Sequence, residues 1–303
     1  MSGSCQRVVS VSDRDVREHE LILSHPDGRR IQLAILGARD FTNVVFYSHG
    51  FPASRLEASI AHGAAREMGI TVIALDRPGF GGSDWYSNRQ FKDWANDVAL
   101  AADHLGVQRF GILGVSGGTP TAVAAAGSLG SRVTALAIVS GVGPIHADGA
   151  LSGMNWANRG LLRLGSHFKS LGGLSIGAVA TVWRSVPGAA ELWFASLLPK
   201  ADIEIVKRPE VGVVLARNIQ ESLKRGVKGA VSEFQLLVSD WRPLLEEVKV
   251  PTTIWHGDED TYVPISMARI VHQGIAGSRF HEVKGGGHFM IVDRLRTVLE
   301  LFV

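Results

Sequence analysis

The chain has 303 residues, 46% of them hydrophobic and 20% charged, with 31 basic against 29 acidic side chains and a formal net charge of +2. That length and apolar content suit one α/β core carrying an insertion, and they exclude a disordered chain. The near-neutral balance, with no run of like charge, leaves no electrostatic footprint for nucleic acid or an anionic membrane.

The single cysteine, Cys5, sits in a polar leader where it forms no internal disulfide, which fits a reducing compartment. The leader has no apolar signal core, and no later stretch is long and apolar enough to span a bilayer. The expectation is a cytoplasmic protein. Strands are predicted at Glu20–Leu23 and Arg30–Leu36, joined by Pro26-Asp27-Gly28 as an antiparallel hairpin at a sheet edge. Further strands are predicted at Val44–Ser48, Thr71–Leu75, Phe110–Leu113, Val133–Ser140, Thr252–His256 and Arg279–Val283. Helical patterns fall at Arg55–Met68, Phe91–Leu105, Gly118–Leu129, Ser266–Ile275 and Phe289–Leu301. Near-continuous apolar strands spaced by helices predict a mostly parallel, eight-stranded sheet covered on both faces.

The rhythm breaks between about Gly143 and Trp241, where no convincing strand occurs. Trp156, Phe168, Trp183, Trp193 and Phe194 stand there among glycines and short helical patterns. This reads as a helical cap inserted between two core strands, with most of its aromatics packing it onto the core. The expected division is a core of residues 1–142 and 242–303 and a cap of residues 143–241.

Chemistry enters at Gly114-Val115-Ser116-Gly117-Gly118, a G-x-S-x-G run between an apolar strand and an alanine-rich helix. A serine at such a sharp turn is held in strained backbone geometry, and only small residues fit two positions either side of it. The turn exposes the hydroxyl at the carboxyl edge of the sheet, beside the positive end of the helix. The same pattern recurs at Gly173-Leu174-Ser175-Ile176-Gly177, but no β-branched strand precedes it. Ser175 therefore reads as an ordinary loop or helix-start serine.

A serine needs a base, and the base needs an orienting acid. Beyond Ile254-Trp255-His256 come Asp258, Glu259 and Asp260. Asp260 lies farther into the loop, ahead of the helix that Pro264 begins, and is the better-placed acid; Asp258 is the alternative. His256, Asp258 and Asp260 lack a second histidine at zinc spacing, so no metal is expected. His281 falls inside a strand pattern, whereas His288 follows three glycines on a loop free to reach Ser116. His288 is the expected base. Strand Val44–Ser48 ends in His49-Gly50-Phe51-Pro52, where the Phe51 N–H joins that of Gly117 as an oxyanion donor. His49 reads as holding this loop, and Asp76 as ordering Arg77-Pro78-Gly79-Phe80-Gly81-Gly82-Ser83. No segment matches a dinucleotide or nucleoside-triphosphate loop, so no cofactor is expected.

With these motifs in place, the chain resembles an α/β-hydrolase-fold protein of the capped, esterase-like kind. The resemblance runs over nearly the whole chain outside the insertion. It implies a serine hydrolase that cleaves an ester of a small or medium hydrophobic metabolite through Ser116, His288 and Asp260. Ser116 argues against the haloalkane dehalogenases and epoxide hydrolases of that superfamily, which carry an aspartate at the elbow. Phe51 departs from the His-Gly-Gly-Pro-Gly loop of proline iminopeptidases. Carbon–carbon bond hydrolases, cofactor-free haloperoxidases, hydroxynitrile lyases and other enzymes of the fold with similar triads are the alternative within the fold. A ligand-binding receptor with slow or no turnover is the alternative of another class. The expected partner is a small-molecule substrate, not nucleic acid or membrane.

Overall fold

In the computed structural model, residues 20–188 and 194–303 are described; Cys5 and Trp193 lie outside them. Eight strands run β1 (Glu20–Ser24), β2 (Arg30–Gly37), β3 (Asn43–Ser48), β4 (Ile70–Leu75), β5 (Phe110–Val115), β6 (Val133–Val139), β7 (Thr252–Gly257) and β8 (Arg279–Val283). They form one sheet in the order β1-β2-β4-β3-β5-β6-β7-β8. β1 with β2 and β2 with β4 pair antiparallel, and every other pair is parallel. All eight strands fall where the sequence predicts them, with small shifts at their ends.

Every residue of β4, β5 and β7 is buried. Successive side chains of a strand point to opposite faces, so a strand that is apolar throughout needs cover on both. Phe46, Ile73, Leu75, Phe110 and Ile112 pack on one side. They meet α2 (Asp93–His104), α3 (Thr119–Ser128) and α10 (Ile265–Gly274) through residues such as Trp94, Ala122 and Val271. Their neighbours Val45, Tyr47, Val72, Leu113 and Val115 face the other side. There Ala65 of α1 (His62–Glu67) and Ile291 and Leu295 of α11 (Ile291–Leu299) cover them.

Between β6 and β7 the regular elements among the described residues are helices, with no strand. The helices are α4 (Trp156–His167), α5 (Lys169–Ser185), α6 (Lys200–Val206), α7 (Pro209–Ser222), α8 (Lys228–Leu237) and α9 (Pro243–Glu246). The Asn155 side chain opens α4 by accepting from the Asn158 N–H at 3.0 Å, satisfying one donor that a helix start leaves free. The aromatics divide. Trp183 is buried and Phe194 half-buried, but Trp156 is 80% exposed and Phe168 60% exposed. Those two do not pack this segment onto the sheet, and they are exceptions to the expectation for most of the aromatics. Ser175 also differs from its reading: it lies inside α5, with its hydroxyl turned back onto the Leu171 carbonyl at 3.0 Å. No helix among the described residues is long and apolar enough to cross a membrane.

Candidate active site

Ser116 stands between β5 and α3 with a φ of 51°, in the left-handed region that a side chain rarely adopts. The flanking glycines make this turn possible by contact. A Cβ on Gly114 would meet the Ala122 Cβ at 2.6 Å, and one on Gly118 would strike the Ser48 carbonyl. The serine is 7% exposed, so its hydroxyl lies in the wall of a cavity rather than on open surface.

His288 sits on the loop between β8 and α11, and Asp260 on the loop beyond β7. His288 Nε2 is 3.0 Å from Ser116 Oγ, and Nδ1 is 2.7 Å from Asp260 Oδ2. Three side chains far apart in sequence thus form one hydrogen-bonded chain. Asp260 is fixed by the N–H groups of Tyr262 and Val263, both donating to Oδ1 at 2.9 and 2.8 Å. Burial works to raise the Asp260 carboxyl, but His288 and His256 outweigh it and hold that group at about 2. Burial likewise opposes a charged His288. Asp260, by charge and hydrogen bond, with Asp202 and Glu57 acting through space, overcomes this and holds the imidazole above its ordinary value. An imidazole so placed accepts a proton readily, in a site that stabilises its cation.

Of the other candidates, Asp258 and His281 stand elsewhere, whereas His256 backs Asp260 with its Nε2 3.4 Å from Oδ2. Asp258 accepts from the Gly285 N–H at 2.7 Å and belongs to the loop surface. His281 is exposed on β8 and stacks on Trp255 at 5.4 Å. His256 is buried with Nε2 2.7 Å from the Val263 carbonyl.

Phe51 and Gly117 come together over the serine. A Cβ on Gly117 would lie 2.5 Å from the Phe51 Cβ and 3.1 Å from the Phe51 nitrogen. The loop that carries Phe51 is held from beneath by Arg77, whose guanidinium donates to the His49 carbonyl and, at 2.9 Å, to that of Gly50. Arg77 in turn pairs with Glu233 of α8 at 3.0 Å, and Arg89 pairs with the same carboxylate. His49 receives the Arg77 N–H at 3.3 Å, a holding part that matches its sequence reading. Asp76 accepts from the Arg55 and Gly82 amides at 2.7 and 2.9 Å and pairs with the Arg55 guanidinium at 2.7 Å, ordering the next loop.

Two carboxyls were not legible in advance. Asp202 of α6 is fully buried and accepts the backbone N–H groups of His288 and Phe289, both at 2.8 Å. Its carboxylate fills the place a side chain on Gly287 would take. The three glycines before His288 were the one sign that something approaches this loop closely. Glu57, on the 3-10 helix Arg55–Ala61, accepts the Gly50 N–H at 2.5 Å and is pushed up to about 7 by burial.

A cavity of about 870 Å³ lies over Ser116 and His288, between the sheet edge and the helical segment. Its walls are largely apolar, with Ile60, Leu162, Ile176, Trp183 and Phe234 among them. Phe194 packs edge-on against Tyr262 at 5.3 Å, and Tyr262 lies 5.0 Å from the His288 ring. That aromatic contact screens the imidazole from water.

Comparison with known proteins agrees with this architecture. A family model described as alpha/beta hydrolase fold matches residues 43–165. An esterase from Exiguobacterium antarcticum is 20% identical with a TM-score of 0.64, covering 92% of this chain and 96% of its own. The enol-lactonase from Burkholderia xenovorans LB400 is 20% identical with a TM-score of 0.66, at 93% and 99% coverage. A bromoperoxidase from Bacillus anthracis is 20% identical with a TM-score of 0.63, again at 93% and 99%. At these identities the solved structures speak for the fold alone. Strand order, helix placement and the matched family model together show that this chain has the α/β-hydrolase fold.

Proposed function

We propose that the chain is a serine hydrolase that transfers the acyl group of a small or medium hydrophobic ester to water. The observation that carries this reading is the continuous chain from Ser116 through His288 to Asp260 at the floor of an apolar cavity. Ser116 Oγ attacks the scissile carbonyl while His288 Nε2 takes its proton and Asp260 stabilises the imidazolium. The oxyanion forms between the N–H groups of Phe51 and Gly117, each worth about 2.7–4 kcal/mol of transition-state stabilisation. The leaving alcohol collects the proton from His288. Water, activated by the same imidazole, then releases the acid.

In this reading residues 143–241 form a cap over the core of residues 1–142 and 242–303. The cap furnishes apolar walls that favour a hydrophobic acyl or alcohol part. The esterase and enol-lactonase among the structural neighbours act on bonds that such a site suits. The test is turnover of a panel of p-nitrophenyl esters by the purified protein beside its Ser116→Ala variant. Wild-type turnover with none in the variant supports the reading. Inertness towards every ester contradicts it.

A further inference from the structure

Glu57 has no part in the acyl-transfer steps, yet it stands beside them. It is the one carboxyl in the cavity wall among the described residues. A point at the Cβ position of Gly50 is 3.3 Å from Glu57 Oε1 and 3.5 Å from the Ser116 Cβ. The carboxyl and the nucleophile therefore flank the same short stretch of backbone. Oε2 takes the Gly50 N–H, and Glu57 makes no ion pair among the described residues. Arg77, which acts on it through space, is already engaged with Glu233 and the carbonyls of His49 and Gly50. A carboxyl offers about four lone-pair sites; here one is used, by the Gly50 N–H, and the residue borders a largely apolar space.

We infer that Glu57 is a polar recognition point that takes a hydroxyl on the acyl chain close to the scissile carbonyl, so that the substrates are α- or β-hydroxyacyl esters with an apolar remainder. This rests on the acyl-transfer reading above and names its substrate class. A hydroxyl both donates and accepts, so it pairs with Glu57 whether that carboxyl is charged or protonated. Burial holds the group at about 7, where both forms are present near neutrality. An ammonium brought into these apolar walls must shed its water for a single partially ionised partner, which disfavours it. Specificity of this kind is strong because a site built around a buried polar group penalises the analogue that leaves it unpaired.

The experiment compares kcat/KM for p-nitrophenyl octanoate with its α-hydroxy, β-hydroxy and β-amino counterparts. The wild type is expected to prefer one hydroxy ester over octanoate at least about tenfold. Glu57→Gln, which still donates and accepts, keeps most of that preference, and Glu57→Leu abolishes it. A wild type with no hydroxyl preference overturns the inference, as does a preference that survives in Glu57→Leu. A stronger preference for the amino ester that vanishes in Glu57→Gln overturns it in favour of cation recognition. Binding of ethyl octanoate and its hydroxy counterparts to Ser116→Ala protein, which needs no turnover, must show the same order. That arm also separates the two claims. Failure of the acyl-transfer reading appears as inertness without fluorophosphonate labelling of Ser116, whereas failure here appears as labelling without any hydroxyl preference.

Discussion

The carboxyl edge of the sheet and the helical segment above it are built on opposite terms. Ser116 and Asp260 follow strands in which every side chain is buried, β5 and β7. In α4 the only buried position is Gly165, and Trp156 at its first turn is largely exposed. Groups that must meet within a fraction of an ångström are mounted on the part of the molecule packed from both sides. The segment that walls the cavity packs through one face of each helix and leaves room for a ligand. The lesson is a division of labour: changes at the sheet edge should act on kcat, and changes in the helical segment on KM. Asp202 crosses that division, because it belongs to α6 yet holds the loop of His288.

The largest effect is expected at Ser116. Ser116→Ala should lower ester turnover by about a millionfold while shifting unfolding free energy by no more than about 1 kcal/mol. The smaller side chain fits the same elbow. Kinetics together with denaturant unfolding check both halves. Asp260→Asn should follow, with a loss of about 10⁴ in kcat, while Asp258→Asn stays near wild type. The reverse order would place the orienting acid at the loop surface.

Asp202 tests the exception. Asp202→Ala leaves two buried N–H groups without acceptors and frees the His288 loop, so kcat should fall by about a hundredfold with KM little changed. A variant that changes KM alone would make the division between the two regions complete. Trp156→Ala removes an exposed wall of the cavity and should raise KM for long acyl chains by about tenfold, the worth of about 1.4 kcal/mol. Its kcat should not move.

The smallest effect is on pH dependence. His288 must be neutral to act as base, so kcat/KM falls as pH drops through its pKa. That group lies above an ordinary imidazole because Asp260, and more remotely Asp202 and Glu57, favour its charged form. The acidic limb of the profile should therefore lie above that of a free imidazole. In Asp202→Asn it should move to lower pH, since one source of stabilisation for the imidazolium is gone.

Legibility followed the same division. The eight strands could be read because parallel, doubly covered strands are apolar along their whole length, a pattern visible without knowing their neighbours. Ser116 was legible because its glycines form a local pattern between strand and helix, one of them demanded by Ala122 a few residues on and another by the end of β3, far away in sequence. His288 and Asp260 follow from chain order once the sheet is assumed. Asp202 and Glu57 carry no such local mark. Asp202 is one carboxylate in an amphipathic helix, and its role comes from a backbone 86 positions away. Glu57 takes its meaning from a cavity wall assembled from many elements. Trp156 shows the limit of such a reading: an aromatic side chain signals apolar contact without saying whether the core or a cavity provides it.

Mass spectrometry after treatment with a fluorophosphonate probe reaches the centre of the account, since such a reagent bonds only to a serine whose proton a neighbouring base removes. One adduct per chain is expected, on the peptide holding Ser116, and it should be lost in His288→Ala. Adduct formation at Ser175, or at Ser116 with equal speed when the imidazole is missing, would contradict the proposed activation.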